Sequence, residues 1–453
     1  MSIVDNKALN PELVKNVDKD LQPTQKRIMG PVSYAASFMG GCVSIGTFSM
    51  GAGLIGELTV VQAIIAMCIG CLVIAIALAI IGEAGHVYGI PFTVQLRSSF
   101  GFTGVKIPGV LRGLPAIVWF GYQSWVGAGA INSCFHILFG IDCLPVVYVL
   151  FTILQVALAI KGFEGIKWME NISCVFIIAI LVYMLYVVNT QFATEIGDVF
   201  SGIKGTWGMP FWAATTSFLG IYSTMIINAS DYSRNATDDI KPVKAASIYT
   251  IAILPVTLFM GLIGLLVTAA TGNSDPVTVF STTMDSKFLT ILTLLFIAFA
   301  QVTTNVLNNI VPPAYVLMES FKMKWSYATI LVGVLSICVM PWKLVTAESA
   351  AGLNLFTQFY SAFLGPIFAV MAVDYYILRK KKLDINRMYD KEGPYKGINW
   401  AAVIAIIVGS VCSLIIVKLS WYVSLIPTGL VYYFLMKTMK SCEGFRVGTI
   451  FEK

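Results

Sequence analysis

The side chains best placed to do chemistry in this sequence are uncharged. In the stretch AFAQVTTNVLNNIVPPAY, Gln301, Asn305, Asn308 and Asn309 fall at i, i+4, i+7 and i+8, and Ala300, Thr303 and Thr304 at i, i+3 and i+4. On a helix each set shares one side. Carboxamides present a donor and an acceptor together, which suits a lactam edge. Neighbouring hydroxyls and freed carbonyls are the hard oxygen ligands that an alkali cation accepts. In GLPAIVWFGYQSWVGAGAIN, Trp119 and Gln123 stand at i and i+4, an indole flank beside a carboxamide, which is half of a site for a flat hydrogen-bonding ring. An interfacial tryptophan next to a helix-to-helix amide bond fits the same pair. The segment FMGGCVSIGTFSMGAGLIG places Gly40, Gly41, Gly46, Gly51 and Gly53 close together. It reads either as tight helix packing or as a break that frees carbonyls.

Charge is missing where it would be informative. Asp231, Glu319, Asp374 and Glu170 read as groups at the ends of helices that pair with loop cations or cap helices, and His86 in a loop and His136 near a helix end read as structural. With no carboxylate or imidazole at mid-span, a proton relay lacks a carrier. The balance tilts toward sodium. The nine cysteines lie mostly in apolar runs and read as small hydrophobes, the Cys68 and Cys71 pair included. No metal-ligand set, catalytic dyad or phosphate loop stands out, so an enzyme is not expected.

The elements that must hold these groups follow from composition. Of 453 residues, 57% are hydrophobic and 12% charged, with a mean hydropathy of +0.80. Soluble domains carry about 25% charged residues, so the chain is expected to be an all-α polytopic membrane protein. Apolar runs predict about twelve spans: 31–55, 60–82, 109–138, 144–162, 166–190, 209–229, 243–271, 288–317, 326–345, 352–377, 398–417 and 420–437. With the amino terminus inside the cell, every one of the 30 Lys and Arg falls on the inside except Lys204, Lys287, Lys343 and Lys418. In that tally Arg97, Lys106 and Arg112 belong to one inside segment. The asymmetry predicts two cytoplasmic termini in the cell (plasma or inner) membrane. Residues 1–30 lack the apolar core of a cleavable signal. The basic connection from Arg379 to Asn399 separates a ten-span core from two further spans. If that core is two five-span halves of opposite topology, the first and sixth spans correspond, as do the third and eighth.

At this point the residues resemble a family. GPVSYAASFMGG in the first span, YGIPFTVQLRSSFGFTGVKIPGVLRGLPAIVWFGYQSW through the third, NASDYSRN after the sixth, TTNVLNNIVPPAY in the eighth, MPWKL in the ninth and LGPIFAVMAVDYYILRKKKL at the tenth are similar to the first class of nucleobase:cation symporters, the purine-cytosine permease type. Within that class the hydantoin and allantoin carriers look nearest. The similarity runs from about Gln25 to Trp400. It implies a leucine-transporter-type 5+5 inverted repeat: a cytoplasmic tail over 1–30, repeats over 31–190 and 209–377, a cytoplasmic loop over 378–397, accessory helices over 398–437 and a tail over 438–453.

Carried over residue by residue, the resemblance implies that Trp119 stacks on the substrate ring, Gln123 bonds it and Asn309 reads its amide edge. A sodium site would fall on the carbonyls of Gly40, Val43 and Ala300 and the hydroxyls of Thr303 and Thr304. Two departures bear on the ring carried. Tyr222 stands where those relatives have a second stacking tryptophan, and Ser44 where they have a longer amide; Trp212 is expected to lie outward of the site. The implied activity is secondary active import of hydantoin, allantoin or a nucleobase with a cation, sodium, by alternating access. Proton-coupled or uncoupled permeation is the alternative, and a channel or receptor the remote one. Sodium is the one co-transported ion expected and no cofactor is implied. The partners expected are the small ring and the lipid bilayer, with no nucleic acid, for a monomer.

Overall fold

A computed structural model describes residues 9–24, 26–161, 179, 182–283, 286–343 and 349–452. The described residues form helices and no strand, apart from an isolated bridge between Met29 and Ala236. The first span is two helices, Pro31–Cys42 and Ile45–Ala52. The second is Val60–Tyr88, the third Lys106–Phe139 and the fourth Leu144–Ile160. The fifth, expected over 166–190, falls mostly outside the described residues, as do Lys167, Glu170 and Cys174. The sixth is Met209–Ile227, followed beyond the span by the short helix Ala229–Ser233, and the seventh is Pro242–Thr271. The eighth runs Lys287–Thr304, then a π-helical stretch Asn305–Ile310, then Val311–Phe321. Trp325–Cys338, Ser349–Ala372 with a π-helical end at Val373–Leu378, Trp400–Ile415 and Ser420–Thr438 complete the series.

Among the described residues, six stretches are long and apolar enough to cross a membrane on their own: Val60–Tyr88, Pro242–Thr271, Lys287–Phe321, Trp325–Lys343, Leu355–Leu378 and Val417–Thr438. Leu144–Ile160 and Trp400–Ile415 are shorter apolar helices, and the first span is divided by its break. Helices suit this setting because each satisfies its own backbone groups without water. The ends are written locally. Thr59 and Gln62 form a reciprocal cap at the start of the second span (3.2 and 3.1 Å). Gly89, Gly140 and Gly272, at φ of 72, 69 and 69°, end the second, third and seventh. Leu150, Ile153, Ile415, Ile426 and Phe434 face outward, as side chains against hydrocarbon should.

Two packed groups position the site. The first, second, sixth and seventh spans pack together, and so do the third, fourth, eighth and ninth. The tenth lies against the sixth and third on one side and the eleventh and twelfth on the other. Gly51 meets the backbone of Gly261, so the first and seventh spans approach as closely as small residues allow.

At one end of the molecule the loops are tied tightly. Asp374 accepts from Ser98 (3.2 Å), Ser99 (3.1 Å), Tyr432 (2.8 Å) and Arg379 Nε (2.8 Å). Arg379 also donates to the carbonyls of Ser98, Phe445 and Val447 and to the Tyr395 hydroxyl. Arg97 pairs with Glu319 at 2.6 Å and donates to the Met388 carbonyl. Asn10 bonds Asn386, and Arg379 bonds Val447, so both ends of the described chain reach this terminal face.

Three local placements differ from the sequence reading. Short helices Phe92–Phe100, Ala193–Ser201, Pro276–Thr283 and Ile385–Tyr389 were not expected. They are brief, and their composition is that of loops. His86 is in the last turn of the second span, buried, with its Nδ1 3.3 Å from Arg27 Nη1, not in a loop. Arg112, counted among loop cations, is wholly buried inside the third span.

Candidate substrate and cation site

The break in the first span falls at Val43 (φ −77°, ψ 75°) and Ser44 (φ −126°, ψ 148°). Neither is a glycine. The nearby glycines serve close approach instead, and extended backbone at Ser44 is open to any residue. Ser44 starts the next helix by accepting the Thr47 amide at 3.3 Å, a normal N-cap. The interruption leaves carbonyls of the preceding turn without helical partners. Thr304 of the eighth span takes them up, its hydroxyl donating to the carbonyls of Gly40 (2.9 Å) and Val43 (3.3 Å). Thr303 donates to the Ala300 carbonyl at 3.0 Å, and a Cβ on Gly40 would stand 3.7 Å from the Thr303 hydroxyl oxygen. The five residues expected to hold a cation therefore lie together, where the broken span crosses the eighth.

Trp119 approaches the same break from the third span. Its ring lies so close to Gly46 that a Cβ there would fall 2.7 Å from the indole. Its Nε1 donates to the Tyr360 hydroxyl at 3.2 Å, and Tyr122 and Phe356 flank it at ring-centroid distances of 5.7 and 6.3 Å. Gln123 is 3% exposed, and its Oε1 has no hydrogen-bond partner among the described residues. Tyr222 arrives from the sixth span, its hydroxyl 3.1 Å from that of Thr47 and 2.9 Å from that of Thr257. Ser44 joins this chain, its hydroxyl 3.2 Å from that of Thr47. Trp119 and Tyr222 thus meet the first span at adjacent residues, Gly46 and Thr47. Trp212 is half exposed, away from this cluster.

The amides of the eighth span divide into two kinds. Asn309 donates to Asn305 Oδ1 (2.8 Å), and Asn305 donates to Gln155 (2.8 Å) and Ser124 (3.2 Å), a connected set spanning the third, fourth and eighth helices. Gln301 donates to the Ile297 carbonyl, but its Oε1 is buried without a partner among the described residues; Asn308 accepts from Tyr232, while its Nδ2 has no partner among them. The π-helical turn Asn305–Ile310 joins the hydroxyl-bearing part of this span to the amide-bearing part. Such turns recur at functional sites.

The sequence reading missed Thr47, Thr257 and Tyr360. Single hydroxyls at isolated positions leave no spacing signal; only packing brings them to Tyr222 and Trp119.

A family model for permeases of cytosine/purines, uracil, thiamine and allantoin matches residues 22–439. A hydantoin permease of Microbacterium maritypicum is 29% identical over 393 residues, 83% of this chain and 79% of that protein. An allantoin permease of Bacillus subtilis (strain 168) is 29% identical over 469 residues, 93% of each. Among solved structures, the transporter Mhp1 of the nucleobase-cation-symport-1 family, closed with bromovinylhydantoin bound, superposes with a TM-score of 0.85 at 26% identity over 96% of this chain and 100% of that one. An inward-facing Mhp1 gives 0.80 at 26% identity over 99% and 98%. A Na+-coupled sialic acid symporter at 13% identity shares the fold, with a TM-score of 0.64 over 93% of each chain. The architecture is accordingly the leucine-transporter type, all-helical and membrane-embedded. With the match running through nearly every helix that builds the site, the chain belongs to the cytosine/purine, uracil, thiamine and allantoin permease family, whose members are transporters and not enzymes.

Proposed function

We propose that this protein is a secondary active importer that carries a small planar amide-bearing ring, hydantoin, allantoin or a nucleobase, together with sodium. The observation that carries the reading is the Gln123 carbonyl oxygen, buried without a donor one turn from the Trp119 ring. A lactam N–H is the donor it lacks. Leaving such a group unpaired in a dry site costs about 1–3 kcal/mol, and a ring that stacks on Trp119 while pairing with Gln123 recovers it. The relatives named for hydantoin and allantoin support that ligand class. Tyr222 offers a smaller face than a tryptophan, with its hydroxyl already held by Thr47 and Thr257. Asn309 and Ser44 complete the polar lining.

Sodium would replace the hydrogen bonds that Thr304 now makes. The hydroxyl donates to the Gly40 and Val43 carbonyls; an ion seated among those carbonyls, the Ala300 carbonyl and the Thr303 and Thr304 oxygens takes their lone pairs and turns the Thr304 proton elsewhere. Such an ion ties the broken span to the eighth more strongly than one hydroxyl does. It would thereby complete the ring site at Gly46 and Trp119. The rocking bodies would be the two packed groups, each drawing helices from both inverted repeats (31–190 and 209–377), with 398–437 as accessory helices in a monomer. Clustering of Arg97, Arg234, Arg379 and Lys381 beside the termini supports a cytoplasmic terminal face, with tails at 1–30 and 438–453 and the loop 378–397 on that side.

The test is a thermal-shift panel of hydantoin, allantoin, uracil, cytosine and purines with and without sodium, followed by uptake into proteoliposomes in sodium or choline buffer at fixed pH. At least one ring should stabilise the protein, and more so in sodium. Equal uptake in both buffers would remove sodium and leave a proton-coupled or uncoupled permease. No shift with any ring would remove the substrate class.

A further inference from the structure

The third span carries a full charge inside the protein. Arg112 has no exposed surface and precedes Trp119 by seven residues, two turns along the same side of the helix. Its Nε and Nη2 donate to Asn228 Oδ1 at 3.1 and 2.8 Å, and Nη2 donates to the Asn308 carbonyl at 2.9 Å. Asp231 reaches the cluster through Asn228, whose Nδ2 lies 3.3 Å from its carboxylate. The remaining guanidinium nitrogen, Nη1, is buried and has no acceptor among the described residues. Nor has Nδ2 of Asn308, the residue whose backbone holds the guanidinium. Asn308 Nδ2 faces the first span so closely that a Cβ on Gly41 would stand 2.6 Å from it.

Two buried donors in one cluster, one of them charged, call for an acceptor oxygen. Charge-assisted N–H groups bind carbonyl and carboxylate oxygens most strongly, and dry, unpaired ones are expensive to keep. The cluster also adjoins the ring site: Tyr360, which receives the Trp119 indole proton, is an electrostatic neighbour of Arg112. Its parts come from both packed groups. Arg112 and Asn308 belong to the third and eighth spans, while Asn228 is at the end of the sixth-span helix and Gly41 is in the first.

We infer that Arg112 Nη1 and Asn308 Nδ2 form a second subsite, between the Trp119–Gln123 site and the terminal face, that takes a carbonyl or carboxylate oxygen of the ring as it leaves. This inference rests on the proposed transport of an oxo-bearing ring. It gives the path a chemical filter separate from the ring site: a ring stripped of its oxygens can still stack on Trp119 but is not received below.

Two variants close the subsite from within. Asn308→Asp keeps an acceptor for Tyr232 but takes the N–H donor away, and Gly41→Ala puts a methyl 2.6 Å from Asn308 Nδ2, so that amide must move. In proteoliposomes, with uracil or hydantoin, whichever gives the larger thermal shift, each variant should lower turnover at least about tenfold while Kd from fluorescence titration stays within about twofold. The dithio counterpart of that ring, a poorer acceptor, should show the same split on the unaltered protein, which keeps the test decisive if a variant does not fold. Unchanged turnover in the variants and for the dithio ring would mean that the donors hold water only, and would overturn the subsite. Equal loss of affinity and turnover would make these residues part of the ring site and overturn it as well. Failure of the unaltered protein to bind any ring would instead strike the proposed function, and the subsite with it.

Discussion

Two polar regions of this molecule are equally buried and differ in how completely they are bonded. At the terminal face, Asp374 and Arg379 satisfy each other and a ring of carbonyls and hydroxyls from the Phe92–Phe100 helix, the twelfth span and the tail. In the membrane interior, Gln123, Gln301, Asn308 and Arg112 each keep one polar atom without a partner among the described residues. Saturated networks rigidify and fix one arrangement, whereas partly bonded groups are poised for something else to bind. Arg234 Nε and the Tyr375 hydroxyl, nearer the terminal face, also lack partners among the described residues, so it is the Asp374–Arg379 network, and not that face as a whole, that contrasts with the site.

The most damaging way to probe that contrast is Arg379→Ala. It strips a buried carboxylate of its partner, so stability should fall by about 3–5 kcal/mol, read as a large drop in the unfolding midpoint in detergent. The fraction that stays folded should bind ring with unaltered affinity; a specific loss of affinity would blur the two regions. Next, Trp119→Ala should weaken ring binding by about 1–3 kcal/mol through lost stacking. Gln123→Ala should cost about 1–3 kcal/mol of affinity through the unpaired lactam yet leave the ligand-free midpoint unchanged or raised, because it deletes an unbonded oxygen. A lowered ligand-free midpoint would put Gln123 with the scaffold.

Thr304→Ala should abolish the sodium-induced thermal shift while leaving most of the ring-induced shift in choline. Persistence of the sodium shift would exclude the Gly40, Val43 and Thr304 grouping as the ion site. The smallest effect belongs to Asp231, just beyond the sixth span, whose carboxyl is pushed up to about 6 by burial, against the pull of Arg234. A raised folded value means that the folded protein holds the proton more tightly, so this contribution to stability is present at low pH and fades as pH rises toward and past about 6. Asp231→Asn should flatten the pH dependence of the midpoint over that window; an identical pH profile would show that the carboxyl titrates as it does when unfolded.

Much of this is legible in the sequence alone. Spacing on the third and eighth spans singled out Trp119, Gln123, Thr303, Thr304 and the asparagines, because a polar group in an apolar run is conspicuous whatever surrounds it. Element ends are less legible: the second span is predicted to stop at residue 82 and runs on to Tyr88, where Gly89 ends it. Three further things are not legible. The break at Val43 and Ser44 carries no glycine or proline of its own, so the glycine-rich segment pointed only to the neighbourhood. Arg112 reads as a loop cation because a charge near the start of a span is normally solvated, and only Asn228 and Asn308, distant in sequence, explain its burial. The helix Phe92–Phe100 reads as a polar loop, and its buried side chains make sense only once Asp374, Glu319 and the Asn399 segment close over it.

The widened turn at Asn305–Ile310 has one further consequence. An α-helix advances about 100° per residue, and a π-type turn fits one more residue into nearly the same rotation, so it absorbs a surplus residue while the stretches on either side keep their phase. Excising a single residue there would restore an ordinary helix and leave Thr303 and Thr304 facing Gly40, but would re-aim the side chains inside the turn, Asn309 among them. Aligning the ion's oxygens and the ring's amide thus depends on one surplus residue in the eighth span, and a one-codon deletion is the smallest change that would uncouple them.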